Sequence, residues 1–443
     1  MSLEGGQAGF EDYDLTSKES IWKFSLRLKG KSLSDFVEDI EIPLVAGHKG
    51  DFGSLVERLY FRIFPGNSPL PDFPEAGLEL KTTGLIANSK GHLQAKERLV
   101  LSMIDYMSLP SEQWHSSSFL KKNKSLLLVF YKYVKDQPLL ERIFNIAPIL
   151  FEVPPEDEPQ IRADWETIRN KVDSGLAHEL SEADTFYLAA CRKGQGGEAE
   201  ALRKQPKSEI GAKARAYSYK PSYVNSILAR SGEAANLNPS QESALIQDAT
   251  KEALMPYLGQ KTKLLAQLAK CSTVSKHFRS TLILKLLAER GFPSEKIAKA
   301  GVQIKTVRLN RKGSPREHMS FQAFKYLEID SQNWEDSRFF ESLETKFLFA
   351  VFGEDANGEE VLLKTMYWNM PFKDREEAHR VWENTKQRAR HDANNLPAAS
   401  ESSVAHVRPK ARNARDTNTT VYGGEAVTKA FWLNKNYIAN IVR

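Results

Sequence analysis

The chain has 443 residues. Domains with a single hydrophobic core are usually shorter, so this length predicts two or three domains. Apolar residues make up 41% and aromatic residues 10%, as in a folded soluble protein, and the formal charge of +5 permits a polyanionic partner without requiring one. Two isolated cysteines, Cys191 and Cys271, exclude a disulfide framework and a zinc site. The longest apolar run, LLLVFY, is too short to span a membrane, so the sequence predicts a cytoplasmic protein without a membrane partner.

Helical and strand patterns alternate along the first half. The segment GSLVERLYFRIF predicts a helix with Leu55, Leu59, Tyr60 and Ile63 on one face. The segments GLELKTTG, ERLVLSMIDY and SLLLVFYKYV are short, apolar and bounded by polar, Gly or Pro residues, which is typical of strands in a covered sheet. EDEPQIRADWETIRNKVDSG then predicts a helix closed by Gly175, and DTFYLAAC a further strand. This order predicts an α/β fold with a mixed sheet flanked by helices.

Short matches recur in the same order in the two halves of the chain. AGVQIKT at residues 300–306 repeats AGLELKT at residues 76–82, and KFLFAVF, VWENTKQR and NKNYIANIV repeat KSLLLVF, DWETIRNK and KPSYVNSIL. A Pro-Lys pair precedes the last match in each copy, at residues 206–207 and 409–410. We interpret the matches as a tandem duplication, with one domain at residues 1–230 and a second at residues 236–443.

An acid-x-lysine pair lies on the strand GLELKTTG. Side chains alternate along a strand, so Glu79 and Lys81 project from the same face, and the proline-rich turn NSPLPDFP brings Asp72 to them. Neighbouring carboxylates repel each other, and a Mg²⁺ ion between them relieves that repulsion. A lysine beside the ion can orient a water and offset developing negative charge. The pattern predicts Mg²⁺-dependent hydrolysis of a phosphodiester, with Glu57 of the preceding helix turned toward the same ion.

A lone acid-x-lysine pair is more often a solvated strand edge. The second copy favours the metal interpretation, because it keeps the lysine as Lys305 and has Gln303, Lys296 and Ile283 at the places of the three acids. Selective loss of the acids indicates loss of metal chemistry rather than drift at a surface.

The residues around this pair resemble the MutH branch of the PD-(D/E)xK nucleases, which contains the repair nickase MutH and the Sau-type restriction endonucleases, all acting at GATC. The segments GHKGDFGSLVE, DFPEAGLELKTT and KERLVLSMIDY resemble the restriction enzymes, and HVRPKARNA resembles MutH. The resemblance implies two tandem MutH-like domains, of which the first cuts and the second binds DNA allosterically. It implies catalytic roles for Asp72, Glu79 and Lys81, a helper role for Glu57 near the metal, and a further active-site lysine at Lys124.

Basic residues are densest in RKQPKSEIGAKARAYSYKPSY of the first half and HVRPKARNAR of the second. A solvated basic loop is the alternative interpretation. Lysine matches guanine and glutamine matches adenine in the major groove, so Gln205 and Lys207 are predicted to contact bases. The predicted backbone contacts, which position DNA without specifying its sequence, are Arg203, Lys213, Arg215 and Lys220. In the second half, Arg408, Lys410 and Arg412 are predicted to bind DNA.

These patterns predict a type II restriction endonuclease that cuts both strands at GATC, needs Mg²⁺ and no nucleotide cofactor, and binds a second site through its second domain as effector. One alternative is a MutH-type repair nickase, against which the duplicated domain argues. Another is a DNA-binding protein that does not cut, against which the carboxylates of the first copy argue. The residues leave open which methylation blocks cutting and whether two sites are joined by a DNA-induced dimer or by looping.

Overall fold

The structure is a computed structural model that describes residues 12–36, 51–66, 68–194, 201–231, 244–292, 294–413 and 415–443. The chain forms two compact units, the first made of Met1–Asn170 with Arg215–Ser243 and the second of Lys171–Ala214 with Ala244–Arg443. The predicted boundary at residues 231–235 falls, after residue 231, outside the described residues. The division predicted from the duplication stays a prediction.

Helices and strands alternate from the N-terminus to residue 231, with short 3₁₀ turns between them. They are α1 (Lys18–Ser25), α2 (Asp51–Leu55), β1 (Glu79–Ala87), β2 (Leu93–Ala95), β3 (Leu99–Met103), α3 (Ser118–Asn123), β4 (Ser125–Lys132), β5 (Ile149–Glu152), α4 (Glu158–Asp173), β6 (Leu188–Arg192), β7 (Arg203–Gln205), β8 (Ser208–Ala212), β9 (Arg215–Tyr219) and α5 (Pro221–Ser231).

The remaining part of the chain opens with helices and continues with a similar alternation. Its elements are α6 (Ile246–Leu254), α7 (Thr262–Leu268), α8 (Phe278–Glu289), α9 (Ser294–Lys299), β10 (Gln303–Arg308), β11 (Met319–Ala323), α10 (Tyr326–Ser331), α11 (Arg338–Leu343), β12 (Phe347–Glu354), β13 (Glu360–Trp368), α12 (Phe372–Ala389), β14 (Ala405–Pro409), β15 (Thr417–Thr419), β16 (Glu425–Val427), β17 (Lys429–Leu433) and α13 (Lys435–Val442).

The first unit is organised around a mixed sheet with strand order β2-β1-β4-β5. The central pair β1 and β4 is parallel, with Glu79 opposite Leu126 and Lys81 opposite Leu128, while β2 and β5 run antiparallel to their neighbours. Every residue of β4 from Ser125 to Tyr131 is buried. A fully buried Leu, Val or Phe side chain stabilises the fold by roughly 1.5–3 kcal/mol. The apolar run SLLLVFY therefore anchors the strand on which the acid-x-lysine pair is aligned.

The predicted helix GSLVERLYFRIF begins as α2 and continues as a π-helical segment, Val56–Tyr60. Its buried side chains are Phe52, Val56 and Tyr60, spaced four residues apart, whereas the predicted Leu55 and Ile63 pack only at the margin of the core. A π-helix has more residues per turn than an α-helix, which moves the apolar face to this spacing. Glu57 lies within the π-helical segment.

The predicted helix ending at Gly175 is confirmed. Helix α4 ends at Asp173, and Gly175 has a φ of +73°. Its N–H donates to the Val172 carbonyl at 3.0 Å, and the Leu176 N–H donates to the Lys171 carbonyl at 3.1 Å. This left-handed glycine termination satisfies carbonyls that the last helical turn leaves open.

The second unit repeats the central strand pair of the first. Strands β10 and β12 are parallel, with Gln303 opposite Phe347 and Lys305 opposite Phe349, and β13 runs antiparallel to β12. A separate antiparallel sheet has the order β11-β17-β14, and β15 pairs with β16 as a hairpin. The core of the second unit contains Trp334, which packs against Phe339 of α11 and against Trp382 of α12.

The segment Lys171–Ala214 is fixed to the rest of the second unit by hydrogen bonds and by ion pairs. Glu344 pairs with Arg375 at 2.9 Å and also accepts hydrogen bonds from the Ser181 hydroxyl and the Glu182 N–H, both at 2.9 Å. The Glu344 and Arg375 side chains are 5% and 6% exposed, so each depends on the other for compensation of its charge.

A second carboxylate makes a similar link. Glu335 pairs with Arg192 at 2.6 Å and with Lys213 at 3.0 Å. Together the two acids tie this segment, which the sequence assigned to the first domain, to residues beyond 244.

The two Pro-Lys pairs used in the repeat alignment lie in different elements. Residues 206–207 form the turn between β7 and β8, whereas Pro409 ends β14. The Lys193 N–H donates to the Ala214 carbonyl at 2.8 Å, and the Lys410 N–H donates to the Thr428 carbonyl at 2.9 Å. Each acceptor directly precedes a strand, β9 or β17, so Lys410 corresponds to Lys193, and the predicted match with Lys207 is wrong.

No helix in the part of the chain that the structure describes is long and apolar enough to cross a membrane.

Candidate active site

The loop before β1 closes on itself through its backbone. The Phe73 N–H donates to the Leu78 carbonyl at 2.9 Å, and the Leu78 N–H donates to the Phe73 carbonyl at 3.1 Å. Gly77 turns the chain with a φ of +62°, a conformation that glycine adopts without a Cβ clash. The loop therefore returns Asp72 to the first residues of β1.

Two further hydrogen bonds connect the acids Asp72 and Glu79. The Asp72 N–H donates to Glu79 Oε2 at 3.0 Å, and the Leu80 N–H donates to Asp72 Oδ2 at 2.9 Å. Each carboxylate thus accepts a backbone N–H from beside the other acid. These bonds hold the two carboxyl groups close together at the start of β1.

Two lysines approach the Glu79 carboxylate. Lys81 Nζ lies 2.5 Å from Glu79 Oε1, which shows that the two side chains share a face of β1 as the strand alternation predicted. Lys122 of α3 places its Nζ 3.7 Å from the same oxygen and donates to the Ser68 carbonyl at 2.8 Å. The Glu79 side chain is only 2% exposed, so these ammonium groups compensate a nearly buried charge.

Burial and crowding shift the pKa values of two carboxyl groups. Burial raises the pKa of Glu57 from its ordinary 4.5 to about 7, and the negative charges of Asp72 and Glu79 add to this while Lys81 opposes it. Burial also raises the pKa of Glu79, with Lys81 lowering it and Asp72 raising it. The three acids therefore share one electrostatic environment.

The donor set of this environment suits a hard divalent cation. Three carboxylates and the ammonium groups of Lys81 and Lys122 leave a surplus negative charge when all are ionised. Within the described residues, no three His, Cys, Asp or Glu side chains lie close enough together to hold a metal ion. The assignment of Asp72, Glu79 and Glu57 as metal ligands stays a prediction.

The structure brings Lys122 to the acids and does not bring Lys124, the lysine that the resemblance implied. Lys124 is the exposed C-cap of α3, and the carboxylate whose pKa its charge helps to lower is Glu152. Phe119 and Asn123 form the buried face of α3, and Lys122 borders that face. Helical periodicity around Phe119 was the available sequence signal for Lys122.

The second unit carries the neutral counterpart of this site. Gln303 begins β10 beside the parallel strand β12, as Glu79 begins β1 beside β4, but Gln303 is exposed. Lys305 takes the place of Lys81. The other two acids are replaced by Ile283, which is buried in α8, and by Lys296 on α9, and neither residue type has a carboxylate.

The two predicted base contacts lie on the β7–β8 hairpin, with different exposure. Gln205 is buried, and its amide is hydrogen-bonded to the Ala177 N–H at 2.6 Å, His178 Nδ1 at 2.9 Å and the Ile210 carbonyl at 2.5 Å. Its polar atoms hold the hairpin, and the structure does not offer them to a base. Lys207 at the turn is exposed and lies 2.8 Å from Asp173.

The predicted phosphate contacts near this hairpin also differ in access. Arg203 is exposed on β7, and Lys213 is partly exposed while paired with Glu335. Arg215 and Lys220 are only 6% and 8% exposed, and buried side chains cannot reach a DNA backbone in this arrangement. Arg215 lies within the buried strand β9, and Lys220 directly follows that strand, so neither cation is on the surface.

In the second unit the predicted basic residues lie on β14 and just beyond it. Arg408 and Arg412 are exposed, with the Arg408 guanidinium 5.7 Å from the Trp432 ring and Arg412 3.5 Å from Asp416. Lys410 turns its ammonium to the Phe321 carbonyl at 2.5 Å. All three residues are exposed, although the Lys410 ammonium is engaged by the Phe321 carbonyl.

Comparison with known proteins identifies a family that matches both halves. The MutH family, described as "DNA mismatch repair enzyme MutH", matches residues 61–164 and 290–379. The first stretch contains Asp72, Glu79 and Lys81, and the second contains Gln303 and Lys305. The predicted fold class, two MutH-like nuclease segments with mixed sheets and flanking helices, is confirmed.

Individual relatives differ in how much of the chain they cover. The type II restriction enzyme Sau3AI of Staphylococcus aureus is 33% identical over 430 residues, which cover 83% of this chain and 87% of that enzyme. The DNA mismatch repair protein MutH of Serratia proteamaculans is 25% identical over 219 residues, covering 48% of this chain and 93% of that protein. MutH of Pectobacterium atrosepticum is 26% identical over 168 residues, covering 37% and 70%. Since the restriction enzyme spans most of both halves, the chain belongs to the MutH-related type II restriction enzymes.

Proposed function

We propose that this restriction enzyme hydrolyses both strands of duplex DNA at GATC with Mg²⁺, and that its second half binds another copy of the site as effector. The observation that carries the proposal is the interlocked Asp72 and Glu79 beside Lys81, together with the neutral Gln303 that begins the corresponding strand of the second unit. One half has the residues for hydrolysis, and the other has the scaffold without them.

Hydrolysis forms a bond from a water oxygen to phosphorus, breaks one ester P–O bond and delivers a proton to the leaving oxygen. Asp72 and Glu79 would hold Mg²⁺, which when bound withdraws charge from the phosphate and acidifies a water. Lys81 fixes the Glu79 carboxylate and can orient the attacking water, and Lys122 can offset negative charge on the phosphate. Glu57, with a pKa of about 7, can hold or release a proton near neutral pH.

Duplex DNA is the proposed substrate, and exposed basic residues of each unit are the proposed contacts. Arg203 and Lys207 project from the β7–β8 hairpin, and Arg408 and Arg412 project near β14. Arginine and lysine on a surface supply the salt-dependent attraction to phosphates on which nucleases rely.

The alternative, a strand-nicking repair endonuclease, has support from the MutH proteins that match part of the chain. Each of those two relatives covers less than half of this chain. A second half with its own folded core is an unneeded addition to a nickase, whereas an effector site accounts for it.

Plasmid cleavage distinguishes these functions. Purified full-length protein is incubated with Mg²⁺ and unmethylated plasmids that carry one or two GATC sites, and with fully and half-methylated copies of each. Linear product that forms faster on the two-site plasmid is expected. Nicked circles confined to half-methylated DNA would instead support the repair nickase, and intact plasmid with retarded mobility would support binding without cutting.

Replacing Glu79 by Gln should lower the cleavage rate by a factor on the order of 10³, because the amide lacks the charge that holds both Mg²⁺ and Lys81. Binding to a GATC duplex, measured by mobility shift, should persist. Glu75→Gln removes the charge of an exposed acid in the same loop and serves as the control. Cutting by Glu79→Gln at the rate of Glu75→Gln would remove Glu79 from the mechanism.

The chain offers a matched pair of lysines on α3 and at its end. Lys122→Met should slow cleavage by about 10²-fold, because Lys122 lies beside the Glu79 carboxylate, whereas Lys124→Met should leave the rate near that of the wild type. Single-turnover rates on a short GATC duplex measure both variants. The reverse ranking would restore the lysine that the resemblance implied.

Stability of the metal-free protein should depend on pH through Glu57. A carboxyl whose folded pKa is raised from 4.5 to about 7 favours the native state fully below its unfolded pKa, and this contribution is lost as pH rises through about 7. Glu57→Gln cannot ionise, so its melting temperature in chelator should fall less than that of the wild type between pH 5 and pH 8. Parallel melting curves for the two proteins would show that Glu57 is not perturbed, and added Mg²⁺ should stabilise the wild type more at pH 8.

A further inference from the structure

A basic cleft of about 800 Å³ lies in the second unit along β10 and the start of β11. The described residues that line it include one acid, Glu317, two histidines, His277 and His318, and five lysines or arginines: Lys276, Arg279, Lys305, Arg308 and Arg316. Hydroxyl groups of Ser275, Thr306 and Ser320 add neutral hydrogen-bonding groups to the wall. Cations with hydroxyl donors match the oxygens of a phosphate rather than an apolar ligand.

The arginines of the cleft already have acidic partners. Arg279 binds Glu360 through two hydrogen bonds of 2.8 and 3.0 Å, Arg308 pairs with Glu317, and Arg316 pairs with Glu354. These pairs use part of each guanidinium fork, whose remaining N–H groups are still donors. The arginines supply hydrogen bonds, and the acids cancel their net charge.

The two lysines of the cleft are different. Neither Lys276 nor Lys305 has a carboxylate within ion-pair distance among the residues that the structure describes. Lys276 is exposed, and Lys305 is partly buried with its ammonium 5.8 Å from the Phe321 ring and 5.6 Å from the Phe347 ring. Burial and the charge of Lys410 lower the pKa of Lys305, as expected of a crowded ammonium group without an acid.

The position of the cleft within the fold connects it to the cutting half. Lys305 is the third residue of β10 as Lys81 is the third residue of β1, and in the first unit Lys81 faces the Glu79 carboxylate. Here Gln303 is neutral and exposed. The ammonium group that would work beside a metal in one half is therefore left to bind an anion directly in the other.

We propose that this cleft binds a phosphate of the DNA backbone, with Lys276 and Lys305 as its charged contacts, so that the second half holds DNA where the first half would cut it. The inference deepens the proposed effector role and rests on it. The shared chemistry is a phosphate ester, for which free phosphate is the other source.

Lysine footprinting of the full-length protein in chelator tests the site directly, since no cutting occurs without metal. The acetylation rates of Lys276, Lys305 and Lys263 are measured by mass spectrometry, alone, with a GATC duplex, and with inorganic phosphate at the same phosphorus concentration. Lys263, an exposed lysine of α7 outside the cleft, is the control. The duplex should slow acetylation of Lys276 and Lys305 only, and inorganic phosphate should leave all three unchanged.

Protection by inorganic phosphate without protection by the duplex would overturn the assignment to DNA, and protection by neither would overturn the site. Protection at the cleft with no acceleration on two-site plasmids would keep the phosphate site while the effector role fails. Acceleration without protection at the cleft would do the opposite.

Charge-removing variants give a second measurement. Lys305→Met keeps the aliphatic contact with Phe321 and Phe347, and Lys276→Met changes an exposed residue, so both should fold. Each should reduce the slope of log affinity against log salt for a second bound duplex by about one, the change expected when one phosphate contact is lost. Lys263→Met should leave the slope unchanged, and unchanged slopes for all three would refute the proposal.

Discussion

The backbone, rather than any pair of side chains, holds the two central acids of this enzyme together. The N–H of Asp72 donates to the Glu79 carboxylate, and the N–H of Leu80 donates to the Asp72 carboxylate. These fixed dipoles oppose the repulsion between the two acids. This arrangement exists because the loop is closed by the Phe73–Leu78 bridge and turned by Gly77. These bonds keep the two carboxyl groups close together at the start of β1.

The two halves show how one scaffold can carry opposite electrostatics. Both units keep the parallel strand pair and a lysine at the third position of its first strand, Lys81 or Lys305. The difference is made two residues earlier, where Glu79 becomes Gln303. An ammonium group beside a carboxylate supports metal chemistry, whereas an ammonium group without one attracts anions. Under the proposed function, loss of a few acids would turn a cutting site into a holding site while the parallel strand pair is kept.

Strand alternation and the repeat were sufficient to predict the parts of the structure that local chemistry determines. The shared face of Glu79 and Lys81, the buried strand β4 and the glycine termination at Gly175 each depend on a few neighbouring residues. The family was recognisable because Asp72, Glu79 and Lys81 form a motif with a fixed spacing in the sequence.

Features that depend on distant contacts could not be predicted in the same way. Lys122 rather than Lys124 reaches Glu79 because α3 packs Phe119 inward, and the phase of a six-residue helix is hard to assign without its partner. Gln205 is chemically suited to a base, yet the β7–β8 hairpin uses its amide internally. The sequence shows the number of basic residues in a stretch. Which of their side chains reach solvent depends on packing, as the buried Arg215 and Lys220 show.

The chain leaves the first compact unit at residue 171 and returns to it at residue 215, since Lys171–Ala214 belongs with the second unit. Dissection of the enzyme at residue 230 would therefore cut through a folded body instead of between two. A fragment ending there would carry Ser181 away from Glu344, which would keep its ion pair with Arg375, and would carry Arg192 and Lys213 away from Glu335. Separating the halves for biochemical study requires a division that follows the packing, with the 171–214 segment grafted onto the C-terminal portion.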